Sequence, residues 1–442
     1  YVVLDGAATG TPDALTVLNV ETVLGSSNSD IYILGAASHA LGIIDGGAGQ
    51  DTLDLSGLTQ GVHVYSDAQF SHQPGGLVAS NFETIIGSRY DDVFTMTNDR
   101  SGMIIDAGDG NDTFYGGRGD DIFLGGSGFD QATYKKYYKD VAVVSSGSTT
   151  QIMSSYGFDQ LHSVEHVNFK DGYFSSDTNE ASARIARIYL GVFGRTPDAN
   201  ELRIGVQSLG KGTEESTLID QISKSNDKLG LHDDSSNQQF IEKLYSNTTI
   251  AVSGNNQEYY VQLLSSGASK SSVAASFFES DAFKNLTAVI VEAGSFIAND
   301  AARIVYSFYH SAFGRLPDSG GFEFWVGKLE RGELTYRQVS QEFTSSAEWR
   351  GHVAGLTSGE IVEFVYTNAL GRPSDGEGHS FWTSAIDNGM SEAALMRGFA
   401  NSAEHQQIMT SLIHDGMSIN INNLADIDTL HITNTPSLDV II

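Results

Sequence analysis

The sequence predicts a multidomain protein, β first and then all-α. Short strands fill residues 1–175, an array of about four helical repeats fills 181–415, and a tail covers 416–442. Three observations predict this. Cut every nine residues, 107–133 reads AGDGNDTFY, GGRGDDIFL, GGSGFDQAT, with glycine recurring at the first, second and fourth places and aspartate always at the sixth. Around residues 175–181 the apolar pattern changes from short β-branched runs to helical spacings of three and four. Each part also contains its own internal repeat.

The chain opens on the apolar run YVVL, which is read as a processed or fragment boundary. In the β part, NVETVLGSSNSD (19–30) reappears as NFETIIGSRYDD (81–92), and GIIDGGAGQDTLD (42–54) as MIIDAGDGNDTFY (103–115). Each copy thus holds a degenerate turn, Gly25 to Asp30 or Gly87 to Asp92, followed by a fuller one. Only the second copy runs on into the tandem nonapeptides, and YKKYYKD after residue 133 abandons the pattern. The third unit has Ala132 where the others have Phe114 and Phe123, which is read as the end of the coil.

The polar stretch 175–180 separates the two parts and is suited to cap a first helix. In the α part Tyr189, Tyr245, Tyr309 and Tyr366 head similar units, an array of stacked helical repeats. Three units contain a turn, FGRTPD (193–198), FGRLPD (313–318) or LGRPSD (370–375). In these turns Arg195, Arg315 and Arg372 are expected to bridge to the Asp three residues on, and that Asp to cap the next helix. Trp325 and Trp382 are expected as core anchors.

Composition narrows the function. Acidic residues outnumber basic ones 55 to 25, a formal charge of −30. That argues against nucleic acid, which needs surplus Lys and Arg, and suits a protein that holds divalent cations. Cysteine is absent, so there is no disulfide, thiol nucleophile or Cys-ligated zinc. No apolar run reaches the length of a membrane span.

The nonapeptide has a direct physical reading. Glycines let the first six residues turn tightly with their carbonyl oxygens inward, and the last three make a short strand. The sixth-place carboxylate adds charge to those neutral oxygens, the ligand type that Ca²⁺ prefers in six-fold or higher coordination. One turn cannot supply six ligands, so ions must sit between stacked turns. Two units complete one coil, and the turns along one edge belong to units two apart.

These residues resemble the repeats-in-toxin (RTX) nonapeptide, GGxGxDxUx with U large and apolar. The resemblance implies a calcium-bound parallel β-roll, export from a Gram-negative bacterium through a type I secretion machinery, and an extracellular or cell-surface location. SLDVII (437–442) resembles the C-terminal secretion signal of such proteins, and GFDQLHSVEHVNFKDG (157–172) the strand pair that follows the roll. Carried over by position, Gly108, Gly110 and Asp112 would share an ion with Gly125, Ser127 and Asp130. In the same way Ser88, Tyr90 and Asp92 would meet Ala107, Asp109 and Asp112, and Ser26, Asn28 and Asp30 would meet Gly46, Ala48 and Asp51. Asp121 lies on the opposite edge, where its neighbour NDRSGM (98–103) lacks the sixth-place Asp. The helical part resembles the DUF4214 family through Phe313 to Trp325, with a looser likeness to the linker polypeptides of phycobilisomes.

No catalytic signature accompanies these repeats. HExxH, GxSxG and P-loop sequences are absent, and His162 and His166 stand four apart only in strand-like sequence. The expectation is a non-enzymatic, calcium-dependent surface protein of the surface-layer type. Its helical repeats would mediate self-association into a lattice or filament, or contact with cell-surface polysaccharide. Two alternatives stand beside it: the secretion and folding module of a larger adhesin or toxin, and that of a secreted carbohydrate-active enzyme. Stacked carboxylates repel one another without a cation. Circular dichroism of the chain titrated with calcium should therefore show a gain of β signal, and an unchanged spectrum contradicts the reading.

Overall fold

The computed structural model describes residues 2–3, 15–16, 22–35, 43–66, 76–96, 102–224, 226–248 and 254–418. Its strands change to helices where the sequence places the switch, between Gly172–Ser175 and Ala181–Phe193. Short strands of two to six residues fall, for the most part alternately, into two mainly parallel sheets. In one sheet Ile31–Gly35, Thr52–Gly57, Thr84–Ile86, Ile104–Asp106, Ile122–Leu124 and Gly157–His162 lie side by side. In the other, Thr22–Leu24, Ile43–Asp45, Gly76–Ser80, His63–Tyr65, Val93–Thr95, Thr113–Tyr115, Gln131–Thr133 and His166–Phe169 do so. This is a β-roll in which a regular coil contributes one strand to each sheet.

The strands are too short to hold together alone, and their stability comes from the narrow space between the sheets. The central residue of each strand points there. Leu53, Val64, Ile85, Phe94, Ile105, Phe114, Phe123 and Leu161 are all fully buried. Phe114 and Phe123 stack with centroids 5.2 Å apart, and Phe94 meets Phe123 edge-on at 6.2 Å. These are the eighth-place residues of the nonapeptide and their equivalents.

Two features of the roll differ from the sequence reading. First, it does not stop at residue 133. Gly157–His162 pairs in parallel with Ile122–Leu124, and His166–Phe169 in parallel with Gln131–Thr133. The intervening segment folds back as the antiparallel pair Ala142–Ser146 and Thr149–Ser154, so 157–169 forms one more coil rather than a cap. Second, the two copies of the long duplication lie in opposite sheets. Thr22–Leu24 belongs to one sheet and its equivalent Thr84–Ile86 to the other. The cause is local: His63–Tyr65 and Gly76–Ser80 follow one another in the same sheet, with Gly76–Ser80 inserted next to Ile43–Asp45. That one departure from alternation reverses the parity of everything after it.

The chain divides into two compact units, Tyr1–Phe296 with Gly416–Ile442, and Ile297–Asp415. The array expected over 181–415 is therefore not one unit. Its helices up to Asp281–Val291 belong with the roll, and the reason lies in the strand that follows them. Phe296 stacks on Tyr138 at 4.0 Å, and Ser295 and Phe296 pair with Met417 and Gly416. The start of the tail is thereby tied to the sheet, while SLDVII lies outside the described residues.

Within the helical units the three Gly-Arg turns share one construction. Gly194, Gly314 and Gly371 end their helices in the left-handed conformation, at φ of 71°, 64° and 66°. Asp198, Asp318 and Asp375 cap the next helices as expected. The arginines, however, do not take those aspartates as main partners. Arg315 donates to both carboxylate oxygens of Glu348 at 2.9 and 3.1 Å, and Arg372 to those of Glu404 at 2.7 and 2.8 Å. Asp375 stands 3.8 Å from Arg372. Each arginine also lies over a tyrosine ring, Tyr309 at 5.2 Å or Tyr366 at 5.5 Å. Arg195 lies over Tyr189 but pairs with Glu201, which stands where the other units have Gly321 and Gly378. Trp325 and Trp382 are half-buried against Phe343 and Phe399, whereas Trp349 is fully enclosed.

Phe94, Phe114 and Phe123 are fully buried and in ring contact within the roll core. Phe123→Ala should cost about 3–5 kcal/mol in denaturant unfolding with saturating calcium, the usual range for emptying a buried aromatic site. A loss below about 1 kcal/mol would show that the stack is not what joins the sheets.

Candidate metal centre

The turns of the roll form two ladders, one along each edge. On one edge lie the turns 87–92, 107–112 and 125–130 and the short turn 163–165. On the other lie 25–30, 46–51, the short turn 81–83, and 116–121. Each ladder is held by one repeated bond. The backbone N–H of a sixth-place aspartate donates to the sixth-place carboxylate of the next coil. Asp92 donates to Asp112 Oδ1 at 2.7 Å, Asp112 to Asp130 Oδ1 at 2.8 Å, and Asp130 to Glu165 Oε2 at 2.6 Å. On the other edge Asp30 donates to Asp51 Oδ1 and Asp51 to Glu83 Oε2, both at 2.7 Å.

The turns brought together are the three pairs expected from the sequence. Gly110 N–H donates to Ser127 O at 2.9 Å and Ser127 N–H to Gly108 O at 3.0 Å, so 107–112 and 125–130 interlock through their backbones. Ala48 N–H donates to Ser26 O at 3.0 Å, which joins 46–51 to 25–30. Between 87–92 and 107–112 the approach is so close that a β-carbon at Gly108 would lie 2.3 Å from Ser88 O, and one at Gly110 only 2.6 Å from the carbonyl carbon of Tyr90. Both glycines have positive φ, 103° and 129°, so conformation and space independently exclude other residues there. Ala107 is fully buried in a first-place position that is glycine in most other turns.

With one oxygen of each carboxylate used in the ladder, the fate of the other decides what the site can hold. Asp51, Asp112 and Asp130 are buried, and their Oδ2 atoms have no hydrogen-bond partner. A buried carboxylate oxygen without a partner is strongly unfavourable, and a hard cation among carbonyl oxygens removes that penalty. The residues present therefore fit a divalent ion. The degenerate turns behave differently. Ser88 Oγ and N–H donate to Asp92 at 3.0 and 2.6 Å, and Ser26 does the same for Asp30 at 2.8 and 3.1 Å. The second-place serine satisfies internally the carboxylate that the full turns leave open.

Burial, more than turn type, sets the electrostatics. Burial pushes the Asp112 carboxyl up to about 8, with the neighbouring Asp130 and Asp92 charges adding to the rise. Burial likewise raises Asp92, Asp130, Asp159 and Glu165. Asp30 is exposed enough that its bonds to Ser26 hold it below the usual range.

The RTX calcium-binding nonapeptide repeat model matches residues 104–132, and the domain of unknown function DUF4214 matches 298–353 and 340–409. The chain carries RTX repeats and DUF4214 domains. The RTX match covers the turns 107–112, 116–121 and 125–130, and these repeats are of a calcium-binding type. The two DUF4214 matches fall on the units headed by Tyr309 and Tyr366. No curated protein matches the chain.

Sequence reasoning missed three members of the ladders. Glu83 and Glu165 occupy sixth-place positions although no glycine turn precedes them, and their matching Phe-Glu and Val-Glu steps were the available signal. Asp159 accepts from Asp121 N–H at 3.0 Å, so Asp121 has a carboxylate neighbour on one side. On its other side it accepts from Met103 N–H, where the sixth-place aspartate is missing as expected. Asp159 also accepts from Tyr134 Oη at 2.8 Å. His162 and His166 do not converge on a site: His162 meets Thr149 and His166 meets Glu180.

The raised carboxylates give the RTX roll a defined pH response without metal. Their folded pKa lies above the ordinary 3.8 of an aspartate, so ionisation opposes folding. In chelator the roll gains stability as pH falls from about 8 towards 4 and loses it as pH rises back through that range. Circular dichroism in chelator should show more β signal at pH 5 than at pH 8, and Asp112→Asn should flatten the difference. Equal β signal of the wild type at both pH values contradicts this account.

Proposed function

We propose that the protein is a calcium-dependent extracellular structural protein of a Gram-negative bacterial surface, related in use to surface-layer subunits. The observation that carries the proposal is the set of buried, unpartnered oxygens of Asp51, Asp112 and Asp130, each in a stack of glycine turns. Inside a cell, where free Ca²⁺ is scarce, the repelling carboxylates keep the roll open and the chain fit for a type I secretion channel. Outside, where extracellular calcium modules work at about 0.1–1 mM, the ion closes the ladders and the roll folds. Carbonyls and carboxylates of the pairs 25–30 with 46–51, 87–92 with 107–112, and 107–112 with 125–130 are the ligands in this reading.

The helical repeats serve as contact modules, without catalysis. Tyr259, Phe324 and Phe381 occupy equivalent places in three units and are each more than half exposed, at 54%, 53% and 63%. Each is braced by its neighbour, Tyr260, Trp325 or Trp382. Regularly presented aromatics of this kind suit contact with further copies of the chain or with surface polysaccharide.

Electron microscopy of the purified chain with calcium and with chelator tests the assembly. Ordered sheets or filaments that vanish on chelation are the expected result. A monomer under both conditions moves the reading to a secretion and folding module of a larger RTX adhesin, toxin or carbohydrate-active enzyme.

A further inference from the structure

The nonapeptide pattern accounts for ions between two glycine turns, but both ladders continue one step beyond the last such pair. At each of these steps the next coil has a shortened turn. It begins on a non-glycine residue in the left-handed conformation, Asn81 at φ 56° or Ser163 at φ 52°. A buried apolar residue follows, Phe82 or Val164, and then a glutamate, Glu83 or Glu165. The same three-residue device thus appears independently on opposite edges of the roll.

Its geometry reproduces that of the glycine turns. Between 87–92 and 107–112 a β-carbon at Gly87 would lie 2.3 Å from Ala107 O and 2.8 Å from Asp92 Oδ2. At Gly125 the corresponding distances are 2.2 Å to Ser163 O and 2.6 Å to Asp130 Oδ2, and at Gly46 they are 2.3 Å to Asn81 O and 3.1 Å to Asp51 Oδ2. In every case a carbonyl and a carboxylate oxygen converge on the hollow left by the missing side chain. There is one difference. At the glycine pair Asp92 is satisfied by Ser88, whereas Asp51 and Asp130 are 1% and 0% exposed and their Oδ2 atoms have no partner. The glutamates reach the same places as aspartates would, accepting from Asp51 N–H at 2.7 Å and Asp130 N–H at 2.6 Å. Beside the second of them a cavity of about 350 Å³, lined by Gly126, Ser163, Glu165, Asp177 and Glu292, supplies a polar entrance.

We infer that each ladder holds a glutamate-closed divalent-cation site, one formed by Asp51, Glu83 and the Asn81 carbonyl, the other by Asp130, Glu165 and the Ser163 carbonyl. The longer glutamate side chain compensates for the shortened turn. Glu83 and Glu165 thereby extend cation binding outside the nonapeptides and tie the first and second halves of the roll to the coils that follow them. This inference rests on the calcium reading of the roll.

The test is the number of calcium ions bound per full-length chain, measured by equilibrium dialysis for the wild type, Glu83→Gln, Glu165→Gln and the double variant. Glutamine keeps an oxygen to accept the aspartate N–H and removes only the charge. Each single variant should bind one ion fewer than the wild type and the double variant two fewer. Glu165→Asp, which keeps the charge, is the companion in case Glu165→Gln does not order. Recovery of the β signal by Asp and not by Gln supports the site. A wild-type count in an ordered Glu→Gln variant, or equal loss of order in Gln and Asp, overturns it. Absence of any calcium uptake by the wild type would instead remove the functional reading beneath it.

Discussion

The bond from one sixth-place N–H to the carboxylate of the next coil is the interaction on which the rest of the roll depends. It fixes the register of neighbouring coils, because each carboxylate reaches only the backbone directly beside it. It also divides the two oxygens of each aspartate, one for the protein and one left over. In the degenerate turns Ser26 or Ser88 takes up the remainder. At Asp51, Asp112 and Asp130 nothing does, and the fold carries an electrostatic debt that only a proton or a cation can settle. A cation bound at these oxygens would stabilise the folded roll, since it removes the repulsion between them.

The core of the roll sets the limits within which that coupling works. Most of the three-residue strands contribute one enclosed side chain each, so little apolar surface there opposes the cost of stacking carboxylates. A larger core would hold the roll closed without the ion, and a smaller one would leave it open with it. The helical part is built on other terms. Its Gly-Arg turns join a left-handed helix end, an arginine over a tyrosine ring and a glutamate partner. The arginine and glutamate charges cancel one another.

Some of this was legible from residues alone, and the physical reasons are uneven. The turns at 107–112 and 125–130 were readable because glycine at positive φ and a carboxylate at fixed spacing leave few other interpretations. The partner of Arg315 was not readable, because Glu348 is 33 residues away and only helix packing brings it near. Asp198, Asp318 and Asp375 are legible as caps because capping is local. Glu83 and Glu165 escaped notice because their turns lack the glycines by which the others are recognised.

The sequence by itself determined the class of each half, the spacing of the turns and the chemistry of their oxygens. Periodicity, glycine and carboxylate placement act over fewer than ten residues, within reach of local sterics and charge. Tertiary structure alone decided which turns share an edge. The insertion of Gly76–Ser80 beside Ile43–Asp45 reverses the parity of the coils and sends the two copies of the duplication to opposite ladders. Tertiary structure also decided that Gly157–His162 and His166–Phe169 extend the roll. A strand's partner is set by long-range pairing across a folded-back segment, and the residues of the strand itself do not encode it.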